Sequence, residues 1–298
     1  MPTLQEAIDF FEQGQLNKAQ TILEELQNSD KNNPQIYYYL GCVAQAKDEY
    51  EQAITHLEKA IKLDGSKADY YVMLGEALGL KSKNVNMIKA AMTLGKVKAA
   101  FQKALELDPE NLPAREGLFM IYLFAPPMAG GDAAQAEQLL GEIQAKNPAR
   151  GLIAQGMKLM KEKKLPQVET VFWQAAETGR DDADIQMRVA RFFLERKDFD
   201  RALKCINRFI ELKPEDPAGY LTKGEILSKM NNDAEALQNF DRAIEKDEQN
   251  LRARYQRALH YHFQNKNALA RQDLEFILQQ KTKHSIKSRA KKLLKELG

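Results

Sequence analysis

The chain has 298 residues, of which 44% are hydrophobic and 29% charged, and its net charge is +2. This composition is that of a soluble folded protein. It argues against a disordered chain, and no stretch approaches the roughly 18 consecutive apolar residues of a membrane-spanning helix. The opening Met1-Pro2-Thr3-Leu4-Gln5-Glu6 has neither the basic start nor the apolar core of a signal peptide. The expected location is therefore cytoplasmic if Met1 is the native start, and periplasmic if a signal peptide has been removed.

Taken in chain order, the helical signals come in pairs. The first pair carries Leu4, Ile8 and Phe11 and then Ala19-Leu23-Leu26. The second opens on Tyr37-Tyr38-Tyr39-Leu40-Gly41 and continues with Ala53-Leu57-Ala60. The third opens on Tyr70-Tyr71-Val72-Met73-Leu74-Gly75 and continues with Val97-Phe101-Ala104. In the fourth, Phe119 stands where glycine stands elsewhere, followed by Ala136-Leu140-Ile143. The fifth and sixth carry Val168-Phe172-Ala175 and Ala202-Ile206-Phe209. The seventh pairs Gly219 to Gly224 with Ala236-Phe240-Ala243, and the eighth carries Ala258 and then Ala270-Leu274-Ile277. Spacings of four and three put each triplet on one face of a helix. The first members of the triplets lie 34, 44, 39, 32, 34, 34 and 34 residues apart. A small residue such as Gly41, Gly75, Ala190, Gly224 or Ala258 lets the paired helix come close, which has to offset the ~1 kcal/mol that a helical glycine costs. Pro34, Pro109, Pro148 and Pro214 are expected to end each second helix.

These residues resemble the tetratricopeptide repeat (TPR) family. The aromatic-x-x-Leu-Gly opening, the Ala-x-x-x-Phe-x-x-Ala centre and the closing proline carry the resemblance over nearly the whole chain. The Gly130-Gly131 insertion and the long third repeat resemble uncharacterised bacterial members. The resemblance implies an all-α, right-handed superhelical solenoid of about eight hairpins. Their expected limits are near 1–33, 34–67, 68–111, 112–148, 149–182, 183–216, 217–250 and 251–283. One hairpin cannot bury its apolar face alone, so stacking supplies the core. Residues 284–298 are expected to form a capping helix, with Ile286, Ala290, Leu293, Leu294 and Leu297 on one stripe and basic residues on the other. Between 281 and 298 there are seven Lys or Arg and one acid, a local excess of +6 that leaves the rest of the chain near −4.

Two repeats are longer than the rule. The extra residues of repeat three fall between Leu78 and Val97, and those of repeat four between Tyr122 and Ala136. Both intervals contain the turn from first to second helix, so the insertions are expected to be neighbours, on an edge that often binds partners. Lys81 to Asn86 reads as a polar turn and Met87 to Leu107 as one long helix. No acid lies between Glu76 and Glu106, whereas Lys81, Lys83, Lys89, Lys96, Lys98 and Lys103 do. Two readings stand here: a basic prong for a partner, or a solvated face on a helix packed under Ala125 to Gly131.

In the family the first helices line the inner surface. Projected onto that geometry, the partner-facing candidates are Tyr38, Val72, Glu76, Met120, Leu123, Ile153, Met157, Met160, Met187, Arg191 and Leu194, with Lys81, Lys83 and Lys89 on the edge prong. The centre of this surface is apolar and rich in methionine, which suits adaptable recognition of apolar or helical segments. The competing reading is that curvature or a neighbouring repeat buries these side chains as core. The Lys and Asn set with which some family members clamp a C-terminal carboxylate is not seen.

Catalytic signals are weak. His260 and His262 point about 200° apart on a helix and do not share a metal. No Walker loop, dinucleotide fingerprint or nucleophile motif occurs. Cys42 and Cys205 fall on different repeats and read as small buried apolar residues. The sequence thus predicts a non-catalytic protein- or peptide-binding scaffold without cofactor or membrane span, a monomer or weak homodimer. The alternative is an anionic-surface or nucleic-acid binder through the lysine-rich insertion and the C-terminal helix, which the even mixing of charge elsewhere disfavours.

Overall fold

The computed structural model describes residues 2–82, 87–280 and 286–297, apart from the side chains of 87–92. Among the described residues there are seventeen α-helices and no strand. They are α1 Leu4–Glu12, α2 Leu16–Ser29, α3 Pro34–Ala46, α4 Tyr50–Leu63, α5 Ala68–Ser82, α6 Met87–Leu107, α7 Leu112–Phe124, α8 Ala133–Lys146 and α9 Pro148–Lys161. After these come α10 Leu165–Thr178, α11 Ala183–Glu195, α12 Phe199–Leu212, α13 Pro217–Lys229, α14 Asp233–Lys246, α15 Leu251–Phe263, α16 Asn267–Gln279 and α17 Ile286–Glu296. A 3-10 turn, Pro127–Ala129, lies between α7 and α8.

The chain divides into two compact units, residues 1–8 with 20–179, and residues 9–19 with 180–298. In the first unit α3 pairs with α4, α5 with α6, α7 with α8 and α9 with α10. Each second helix also packs on the first helix of the next hairpin, and the first helices touch one another in the order α3, α5, α7, α9. The second unit repeats the scheme with α11/α12, α13/α14 and α15/α16, and α17 lies against α16 and α15.

Local chemistry sets the boundaries. Asn33, Asn111, Asn147, Asp182, Asp216 and Asn250 cap the first helices, each side chain accepting a backbone N–H of the first turn. Each such cap stabilises by about 1 kcal/mol. Pro34 and Pro148, expected to close the preceding helix, instead occupy the first position of α3 and α9. That site suits proline because its missing N–H would have had no partner there. Six of the first-to-second turns share one device. Gly14, Asp48, Lys163, Lys197, Asn231 and Asn265 all have positive φ between 58° and 71°. In each case the next residue's N–H reaches back five positions, as from Glu49 to the Ala44 carbonyl and from Asp198 to the Phe193 carbonyl. This is the Schellman closure of a helix end.

The recurring triplets form the cores. Of the eight, every member is buried except Leu26, which is half-buried. Phe101, 4% exposed, illustrates the packing: its ring is clamped between Gly75 of α5 and Gly117 of α7. In the second unit Asp273 is almost fully buried, and two guanidinium groups neutralise it, Arg254 at 3.0 Å and Arg257 at 2.7 Å. A lone buried carboxylate would be costly without them. Ile286, Ala290 and Leu293 of α17 complete the core of this last hairpin.

Candidate binding surfaces on the first helices

In the first unit, α7 and α9 run level with each other. Arg150 Nη1 donates to Glu116 Oε1 at 3.1 Å near one end, and Lys161 Nζ donates to the Leu123 carbonyl near the other. Between these ties Met120 on α7 and Met160 on α9 are 37% and 40% exposed, and Met157 is half-buried. Phe124, one turn beyond Met120, is 47% exposed. Four flexible or aromatic apolar side chains thus sit on adjacent first helices, facing outward from a fixed backbone.

The expected inner surface is divided by this geometry. Val72, Leu123 and Ile153 are buried, and so is Met187 of the second unit, whose sulfur accepts the Thr222 hydroxyl at 3.7 Å. These four serve as core, Val72 and Leu123 within one apolar cluster of the first unit. Tyr38 is half-buried, its ring stacked on Tyr70 with centroids 4.9 Å apart. Glu76 is half-buried and accepts from Gln45 Nε2 at 3.0 Å. Phe124 was not among the expected residues. Its place four residues after Met120 was the signal, masked by its closeness to the lengthened turn. Met128 in the 3-10 turn is 97% exposed.

In the second unit the corresponding face is charged. Arg191 of α11 is exposed and Leu194 half-buried. Glu225 of α13 accepts from Gln256 Nε2 at 3.3 Å and lies 3.9 Å from Arg252 Nη2, both on α15. The surrounding protein, and then the charge of Arg252, hold the Arg191 guanidinium below its usual pKa, while Glu225, Asp216 and Asp184 oppose the shift.

Three of the third-repeat lysines, Lys81, Lys98 and Lys103, are engaged within the protein. Lys81, still helical at the end of α5, pairs with Glu51 at 3.5 Å, and Lys103 pairs with Glu106 at 2.9 Å. Lys98 stands over the Tyr122 ring at 4.6 Å, which ties α6 to the end of α7. Lys83 and the Lys89 side chain lie outside the described residues. Cys42 and Cys205 are buried free thiols. Burial pushes the Cys42 thiol up to about 12, and the same cause raises the Tyr38 hydroxyl beside it. A thiol held protonated is a poor nucleophile. No helix among the described residues is long and apolar enough to cross a membrane.

Set beside known proteins, this arrangement of stacked hairpins is of the tetratricopeptide type. Models of the tetratricopeptide repeat match residues 34–66 and 217–250. Among solved structures, yeast Tom70 superposes with a TM-score of 0.62 at 18% identity, over 95% of this chain and 58% of that one. A thermophilic TPR protein of Thermus thermophilus gives 0.54 at 16% identity, over 63% of this chain and 95% of that one. At these identities the likeness is one of fold. The chain is 26% identical over 238 residues to the peroxisomal targeting signal receptor of Saccharomyces cerevisiae, covering 76% of this chain and 36% of that protein. The receptor of Komagataella phaffii matches at the same identity, with 76% and 38% covered. The chain thus spans little more than a third of the length of these receptors. They are yeast proteins, and the bacterial resemblance expected from the insertions is not carried by them.

Proposed function

We propose that this chain is a non-catalytic scaffold that binds a protein or peptide, with Met120, Phe124, Met157 and Met160 as the contact surface of its first unit. One observation carries the reading: four apolar side chains remain accessible on two helices that ion-pair and carbonyl contacts hold level. A partner that covered the remaining exposed part of each, under half of its surface, would gain roughly 0.5–1.5 kcal/mol per side chain. Methionine adapts its shape to different apolar partners without backbone movement. Resemblance to proteins named as receptors for a targeting signal supports a short peptide segment as the partner. The nucleic-acid alternative draws less support, since Lys81, Lys98 and Lys103 already have partners within the protein.

The test is to select nonapeptides from a random display library and measure their affinity by fluorescence anisotropy. Met120→Glu and Met160→Glu should each weaken binding about tenfold or more, since each places a charge in an apolar contact. Binding to peptides that is indifferent to both substitutions would remove this surface from consideration.

A further inference from the structure

The geometry points to a second binding site in the first unit, a cleft between α2, α3 and α4 that takes a cationic group carried on an alkyl stem. That chemistry is shared by a lysine or arginine side chain of a partner and by a small alkyl guanidine or amine. None of the lining residues belongs to α7 or α9. The site therefore stands whether or not the Met120 and Met160 surface binds peptides.

Three helices line the cleft. Gln20, Glu24 and Gln27 follow one another on α2 at spacings of four and three, so their side chains share one face of that helix. Gln52 and His56, four apart on α4, form a second wall, with Glu49 just before the first turn of the same helix. Leu40, Val43 and Ala44 of α3 are buried and supply the floor. The space between them is about 390 Å³. Sites for small ligands hold roughly 300–1,000 Å³.

The lining chemistry selects the ligand. Side-chain amides both donate and accept, so by themselves they admit many polar groups. Glu24 and Glu49 add two carboxylates, and no lysine or arginine is among the lining residues. An anion is repelled by such a site, whereas a cation gains charge-assisted bonds. Lys47 donates to Gln20 Oε1 at 2.6 Å, and Gln20 Nε2 in turn donates to Glu24 Oε1 at 2.6 Å. This relay orients the Glu24 carboxylate and keeps the Lys47 ammonium on the far side of an amide. His56 leans on the Tyr37 ring, with centroids 6.4 Å apart. Burial lowers the His56 pKa while the charge of Glu24, on the facing helix, opposes the shift. The imidazole is therefore neutral at about pH 7.5 and brings no positive charge into the cleft. An aliphatic floor under polar walls matches a ligand with apolar methylenes and a charged tip.

The experiment titrates the full chain at about pH 7.5 with two probes. Acetylarginine methylamide presents the side chain on a backbone without charged termini, and n-butylguanidine presents the cation and stem alone. Binding is read from the His56 ring-proton resonance, assigned with His56→Gln, and from isothermal calorimetry. At least n-butylguanidine should bind saturably, in the millimolar range or tighter. Its neutral analogue n-butylurea should bind about tenfold or more weakly, and Glu24→Gln should weaken the cationic probe by a similar factor. Glu24 is exposed, so an unchanged thermal melt checks that the variant folds. Binding of both probes supports the site and assigns it to a partner's side chain. Binding of n-butylguanidine alone supports the site and assigns it to a small molecule, since a backbone is then excluded. No saturable His56 shift, equal binding of n-butylurea, or an undiminished affinity in Glu24→Gln overturns the site and leaves the Met120 and Met160 surface untouched.

Discussion

Replacing Gly117 by alanine should destabilise the first unit, whereas the same change at Gly141 should stabilise it. A Cβ built at Gly117 falls 2.5 Å from Cε2 and Cζ of Phe101, a ring clamped from the other side by Gly75. Real Cβ atoms do not approach so closely, and Phe101 is only 4% exposed, so the ring has little room to yield. Overpacking of this kind costs about 1–3 kcal/mol. Alanine recovers about 1 kcal/mol of helix propensity, which leaves a net loss of about 0–2 kcal/mol. Gly141 also lies inside a helix, α8, but a Cβ there meets nothing within 4 Å. Only the gain of about 1 kcal/mol remains. The two variants should thus differ by about 1–3 kcal/mol, and their melting midpoints by about 2–12 °C at 2–4 °C per kcal/mol. Differential scanning fluorimetry at matched pH resolves that separation. If Gly117→Ala melts as high as Gly141→Ala, Phe101 is not held between α5 and α7 and the packing described for this hairpin is incorrect.

Other substitutions probe the turns and the buried charge. Lys197 has φ of 61°, a conformation that costs an ordinary residue about 1–2 kcal/mol, so Lys197→Gly should raise the melting midpoint slightly, the relief exceeding the ~0.5–1 kcal/mol of added chain entropy. Asp216 has its carboxyl pKa raised, chiefly by burial and against the bond from the Ala218 N–H. A raised folded pKa means that the native state holds its proton more tightly than the unfolded chain. The stabilisation is complete below the ordinary carboxylate range and is lost as pH rises through the raised value. Asp216→Asn keeps a capping side chain. It should therefore gain stability at pH 7 relative to wild type, and the gain should shrink as pH falls toward 4, measured by urea denaturation across that range.

The repeat was legible because one residue class recurs where the hairpins must close on each other. Ala53-Leu57-Ala60 and Ala236-Phe240-Ala243 are buried in two different units by the same geometry. The interval is visible again in the backbone, where positive φ recurs at residues 163, 197, 231 and 265. The inner surface was harder to read, since one step along a helix rotates a side chain by about 100°. Leu123 and Phe124 are adjacent and both apolar, yet Leu123 is 5% exposed and Phe124 47%. Met187 and Arg191, one turn apart on α11, divide in the same way, the methionine buried and the arginine exposed. No pattern of apolar and polar letters distinguishes a methionine that packs under the next first helix from one that waits for a partner. Fourth-repeat packing escaped the sequence for a related reason. Phe119 fills the place of the usual glycine, and the close approach moved two residues back to Gly117, where the neighbour is the ring of the preceding hairpin. The same exchange that hides the glycine from the pattern makes Phe101 the shared contact of two repeats, so the two are expected to unfold together.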